Sequence, residues 1–295
     1  MNNFRNLILA GLALAAVIAC QPSAKKIGTE TFSSSDSTAH AYLKMDIELP
    51  VPDKGPQGQI RRQLIEVLDE RLSHIGTYET ERLFPPFDGD PDDQQALMEY
   101  YRDQALHQIG TASQEDADER TRYIREDEDF TEEEKQALLA DYPSWSFESS
   151  LKKTRETARY VVFQSLDYIY MGGAHGGMTG EGDMTFDKQN GQRIHTFVDP
   201  GRLEELQPLL REGLLEYFTE SDSHFTPEDL DDVLMLENSR IPLPSWAPYP
   251  GEDGLVFVYQ QYEIASYAAG MPSFTVPYDK IRPFLTEEAR KILAR

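Results

Sequence analysis

Two histidines and two aspartates, His175, Asp183, Asp187 and His195, stand near one another in the sequence. Imidazole and carboxylate groups can hold a divalent cation, and histidine exchanges protons near neutral pH. Their spacing fits no zinc or calcium signature, so no metal site is assigned to them. Acidic residues are too abundant for a pair of catalytic carboxylates to be singled out, and no Gly-x-Ser-x-Gly elbow marks a nucleophilic serine. No catalytic residue and no cofactor follow from the sequence. The tyrosines offer different chemistry: Tyr168, Tyr170, Tyr262, Tyr267 and Tyr278 could stack on a sugar ring, or could serve as half-buried core with their hydroxyls at the edge.

The elements that must position these groups centre on Tyr160 to Phe197. Tyr160-Val-Val-Phe-Gln-Ser-Leu-Asp-Tyr-Ile-Tyr170 is rich in β-branched and aromatic residues, so it predicts a strand. It enters the turn Met171-Gly172-Gly173-Ala174-His175-Gly176-Gly177. Glycines there permit positive φ or a close backbone approach, and the same bare backbone could cradle a ligand with His175 at its centre. A second strand is expected from Asp183, then a hairpin through Asn190-Gly191 into Arg193–Phe197. Irregular backbone is where a partner is most readily met. The candidate ligand contacts are therefore Tyr170, Gly172, Gly173 and His175 in this turn, with Tyr262, Tyr267 and Gly270 in a second loop.

The charge bounds the partners. The 295 residues include 52 Asp and Glu against 28 Lys and Arg, a net charge of −24. Nucleic acid and anionic lipid surfaces are poor partners for such a domain, whereas a basic protein is attracted. At the N-terminus, Asn2 to Arg5 and the apolar Leu7 to Ala19 form a secretory signal too short to span a membrane. It ends in Val17-Ile18-Ala19-Cys20, which looks like a lipoprotein lipobox, and Cys20 is the chain's only cysteine. The expectation is an acylated Cys20 anchored in a lipid bilayer. The absence of aspartate beside it resembles lipoproteins sorted to the periplasmic face of the outer membrane. No disulfide can form within the mature domain.

Taken in order, residues 1–19 read as signal peptide and 20–40 as a flexible tether, because Ser33–Thr38 has nothing to bury. Ala41–Leu49 alternates as a strand, and Ile60–Leu72 has helical spacing. Residues 92–141 form an acidic helical insertion: one helix through Ala96–Ile109, a charged run from Glu115 to Asp129 read as a solvated helical face, and a second helix opened by a Thr131/Glu134 capping box. Strands follow at 145–152 and 156–171, then helices from Leu203 and from Thr226, strands at 254–262 and 274–276, and a closing helix capped at Thr286. The clustering of elements predicts an α+β fold, largely antiparallel, with subdomains at 41–160 and 161–295.

Tyr168–His175, Asp187–Ile194 and Tyr262–Gly270 with Val276-Pro277-Tyr278 resemble the domain of unknown function shared by RsiV-type anti-sigma factors and PdaC-type peptidoglycan deacetylases, DUF3298. Ala41–Leu72 resembles the DUF4163-like companion that precedes it. In the anti-sigma factors this region binds lysozyme; in the deacetylases it accompanies a separate catalytic domain. The His-x-x-x-His motif of that catalytic domain does not occur in this sequence. Together with the lipobox and the acidic charge, the resemblance implies a lipid-anchored envelope protein that binds lysozyme, another basic protein, or a peptidoglycan-related ligand. An envelope enzyme acting on peptidoglycan and a scaffolding lipoprotein are the alternatives.

Overall fold

The computed structural model describes residues 25–77, 81–140, 144–172 and 176–294. Cys20, with the signal and acylation expected there, lies outside these residues, as do Gly173 and His175.

The first described element corrects an expectation. Part of the serine-rich stretch expected to be a tether is strand β1 (Thr29–Ser37), paired antiparallel with β2 (Ala41–Pro50) from Thr29 opposite Pro50 to Ser37 opposite Tyr42. Two apolar side chains in this polar segment, Ile27 and Phe32, are buried in the core. Each contributes about 1.5–3 kcal/mol. The edge of β2 supplies the backbone partners, so the serines that follow Phe32 need bury nothing.

Strict alternation on β2 puts Ala41, Leu43, Met45, Ile47 and Leu49 on one buried face. Helix α1 (Pro56–Leu72), with proline in its first turn, covers that face with Ile60, Leu64, Leu68 and Leu72. Arg61 on α1 is buried as well. Its guanidinium donates to the Pro50 carbonyl at 2.8 Å, the Pro91 carbonyl at 3.0 Å, Glu30 Oε1 at 3.0 Å and Gln94 Oε1 at 3.2 Å. One side chain thereby ties both first strands and the start of α2 to α1.

Helix α2 (Gln94–Glu126) runs unbroken through most of the charged stretch. Its first half, with Leu97, Met98, Tyr101, Ala105 and Ile109, enters the same core, so the acidic insertion is in part a core element. Helix α3 (Glu132–Ala140) begins at the expected capping box, in which the Glu134 N–H donates to Thr131 Oγ1 at 3.3 Å and the Thr131 N–H to Glu134 Oε2 at 2.8 Å. These three helices are the crossover that lets β3 (Trp145–Glu156) lie parallel to β2. Every other strand pair described is antiparallel. β4 (Tyr160–Tyr170) and β5 (Met178–Asp187) complete a five-stranded sheet in the order β1-β2-β3-β4-β5.

The two faces of β4 serve two cores. Val161 and Phe163 join Met184 and Phe186 of β5 in the first core, while Tyr160 and Val162 enter a second. Tyr160 and Val161, at the expected subdomain boundary, thus point into opposite cores. The second core is closed by α4 (Leu203–Ser221), α5 (Pro227–Val233), a sheet of β6 (Tyr249–Pro250), β7 (Gly254–Val258) and β8 (Ser273–Pro277), then α6 (Tyr278–Ile281) and α7 (Glu287–Leu293). Thr226 and Thr286 cap α5 and α7 as their spacing predicts.

Two strands are shorter than expected. The hairpin through Asn190-Gly191 closes with one bridge, Phe186 opposite Arg193, because Ile194, Phe197 and Val198 leave the sheet to fill the second core. The strand expected over 254–262 ends at Val258, and the chain turns through Gln260–Tyr262. The fold is α+β with largely antiparallel sheets. No helix among the described residues is long and apolar enough to cross a membrane.

Candidate site at the β4–β5 turn

β5 is the edge strand of its sheet, and an edge leaves N–H and C=O groups open. Side chains from the loop after β7 take them. Gln260 Oε1 accepts from the Glu181 N–H at 2.8 Å while its Nε2 donates to the Glu181 carbonyl at 2.9 Å, and Gln261 Oε1 accepts from the Thr179 N–H at 2.7 Å. Two amide side chains do here what a sixth strand would do. Glu263 holds them in place, accepting from the Gln260 N–H at 2.7 Å and the Ser245 N–H at 2.5 Å.

This anchoring forces an unusual conformation on the residue between. Tyr262 has φ +66°, which a bulky side chain rarely adopts, and it is 52% exposed. Its ring packs against that of Tyr267, with centroids 5.8 Å apart. The Tyr267 hydroxyl donates to the Gly177 carbonyl at 2.6 Å. Gly177 in turn lies under the Tyr168 ring, where a Cβ would come within 2.3 Å of ring atoms, so a larger residue there would push that ring aside. At the far end of the loop, Gly270 takes φ +69° after the single turn Tyr267–Ala269, and the Tyr217 hydroxyl donates to the Ala269 carbonyl at 2.7 Å. The result is a firmly held surface with Tyr168, Tyr262 and Met178 exposed beside the turn.

The second loop therefore touches the chain at the end of the turn, at Gly177. Tyr262, Tyr267 and Gly270 belong to the loop, and Gly172, with φ +80°, and half-buried Tyr170 sit where β4 enters the turn. Tyr278 goes elsewhere: its hydroxyl donates to the Gly251 carbonyl at 2.9 Å. The pair Gln260-Gln261 and Glu263 were not singled out from sequence, because that stretch reads as a continuing strand.

The acidic candidates separate. Asp183 is 5% exposed, on the β5 face that looks toward the second core, and its Oδ1 has no hydrogen-bond partner among the described residues. Burial, then the charge of neighbouring Glu181, pushes its carboxyl up to about 8, and a bond from Gln164 pulls the other way. Burial, with those two acids close by, also holds the Tyr249 hydroxyl above its ordinary range. Asp187 instead closes a turn, accepting from the Gln189 N–H at 2.7 Å, and His195 is exposed. Among the described residues no three His, Cys, Asp or Glu side chains converge as a metal site requires.

Residues 196–279 match the family model described as a protein of unknown function, DUF3298. That stretch is similar to the DUF3298 domain. It spans α4 to β8 and includes the Tyr262–Gly270 loop, whereas the glycine turn lies outside the matched residues. A DUF3298 family structure from Bacteroides fragilis shares 17% identity with a TM-score of 0.62, covering 92% of this chain and 98% of its own. Another, from Pseudomonas aeruginosa PAO1, shares 14% identity with a TM-score of 0.55, covering 91% of this chain and 98% of its own. At such identities the likeness is one of fold, and it extends well beyond the matched DUF3298 residues. No curated protein matches the chain.

Proposed function

We propose that this chain is a lipid-anchored envelope protein, tethered through Cys20 at the periplasmic face of the outer membrane, and that it binds lysozyme through the tyrosine surface at the β4–β5 turn. The observation that carries the reading is Tyr262, held exposed at positive φ on a loop anchored by Gln260, Gln261 and Tyr267. Strained, exposed aromatic residues on braced loops are a property of recognition surfaces. The net charge of −24 favours a basic partner over a nucleic acid.

Calorimetric titration of the full chain in detergent with lysozyme, at low and high salt, tests this. Saturable binding that weakens as salt rises, and that falls about tenfold in Tyr262→Gly, is the expected result. No heat with lysozyme sinks the reading, and heat with muropeptides in its place would move the site to a glycan ligand. Release of a Cys20→Ala variant from the membrane fraction tests the anchor; unchanged membrane association would refute it.

A further inference from the structure

At the other end of β4 a cleft of about 930 Å³ opens between the β3–β4 turn, the β6–β7 turn and α7. β4 runs from Tyr160 in this cleft to Tyr170 at the glycine turn, and its 11 residues separate the two places. At ~3.3 Å per residue that is more than 30 Å. The volume lies within the range of small-molecule sites.

The lining inverts the character of the chain. Four arginines, Arg155, Arg159, Arg282 and Arg290, meet there in a protein where acidic residues outnumber basic ones by 52 to 28. None of the four forms an ion pair among the described residues. Arg155 Nε donates to the Tyr160 hydroxyl at 3.2 Å, Arg159 to the Lys291 carbonyl at 2.8 Å and Arg290 to the Pro283 carbonyl at 2.9 Å. Each uses one donor of the five on a guanidinium, and each is fixed in direction by doing so. The Arg282 guanidinium has no partner among the described residues. Arginines held by neutral oxygens, with their remaining donors open to a cleft, match the planar oxygens of a carboxylate.

Three acids, Glu252, Asp253 and Asp279, share the lining, while buried Leu285 and Ile292 give it an apolar part. A ligand dense in phosphate would meet repulsion from these acids. One carrying carboxylates together with an ammonium group finds a partner for each. We propose that the cleft binds a short acidic peptide, its carboxylates on Arg155, Arg282 and Arg290 and its amine toward Glu252, Asp253 and Asp279. This site stands apart from the tyrosine surface, and Tyr262→Gly leaves it unchanged.

Glutamyl-glutamate is the probe, titrated into the full chain in detergent, with its N-acetylated form and inorganic phosphate as the other arms. One-to-one binding is expected, about tenfold weaker in Arg282→Ala and weaker again in Arg155→Gln/Arg282→Ala. Acetylating the amine is expected to weaken it several-fold. Arg282→Ala removes no hydrogen bond or ion pair of that side chain among the described residues, so its melting temperature serves as the folding control. Absence of saturable binding at millimolar peptide, equal binding by Arg282→Ala, or tighter binding of phosphate than of peptide would each overturn the assignment.

Discussion

The Tyr267 hydroxyl donates to the Gly177 carbonyl at 2.6 Å, joining the Tyr262–Gly270 loop to the β4–β5 turn across 90 residues of sequence. Removing it with Tyr267→Phe costs about 0.5–1.5 kcal/mol, since the carbonyl is partly exposed and rehydrates. Faster amide exchange in residues 262–270, with the rest of the chain unchanged, is the expected readout. Tyr262→Gly separates strain from function. Relief of positive φ offsets the added freedom of the unfolded chain, so stability stays level or rises by up to about 1 kcal/mol. Lysozyme affinity is expected to fall in the same variant. If stability falls along with affinity, Tyr262 is structural and the proposed surface is wrong.

β1 makes the choice of N-terminus consequential. A chain begun at residue 41 loses the strand that covers the edge of β2 and exposes the sites filled by Ile27 and Phe32. Ile27 is also held through its N–H, which donates to Glu156 Oε1 at 2.8 Å, and Glu156 accepts from buried Lys188 at 2.6 Å. Such a chain is expected to be less stable by several kcal/mol and to aggregate through its open edge. A chain begun at residue 25 keeps all of these contacts and is expected to melt as the full one does. Equal melting temperatures and equal monomer fractions from the two would show that β1 contributes nothing.

What could be read from the sequence, and what could not, follows from how each contact is encoded. β2 shows in its apolar alternation and β4 in its β-branched and aromatic run, and the caps at Thr131, Thr226 and Thr286 show in threonine with an acid within three residues or at the next position. β1 leaves no such trace, because only Ile27 and Phe32 are buried and the serines pair through backbone alone. Gln260 and Gln261 are equally silent: an amide that completes a sheet edge depends on which strand lies beside it, and nothing periodic records that. The arginines of the cleft come from Arg155–Arg159 and Arg282–Arg290, two segments far apart that fold to one place. In the linear sequence they read as scattered surface cations.

Arg61 is the residue whose loss should be felt furthest in the N-terminal half. It has four acceptors drawn from β1, β2, the loop before α2, and α2 itself. Arg61→Ala opens a space and leaves the buried Pro50 carbonyl unpaired, which should cost about 3–5 kcal/mol in urea denaturation. Arg61→Lys is expected to recover only a small part, because one ammonium cannot reach four acceptors set around a planar fork. Near-complete recovery by lysine would mean that charge, not geometry, is what the position requires.

Asp183 sets a pH dependence of the opposite sign to that of most carboxylates. In the unfolded chain it has its ordinary value, 3.8, and in the folded protein burial and Glu181 hold it up to about 8. Below pH 4 both states keep the proton. Between pH 4 and 8 the unfolded state releases it and the folded state does not, so stability falls as pH rises; above 8 the two states match again and the fall stops. Glu156 works the other way: burial would raise it, but bonds from Lys188, the Ile27 N–H and Lys153 outweigh that and hold it below its ordinary value. The Asp183 contribution is therefore read as a difference between variants. Asp183→Asn carries no titrating proton and should match the parent near pH 4, then gain on it by about 2–4 kcal/mol at pH 8. Because Gln260 clasps the backbone of Glu181, the charge that forms on Asp183 is also felt in the loop. Protection of residues 260–267 against amide exchange, taken relative to the intrinsic rate at each pH, is expected to fall through pH 8 in the parent and to stay level in Asp183→Asn. Parallel stability curves for the two proteins from pH 4 to 8 would mean that Asp183 is ionised in the folded state throughout.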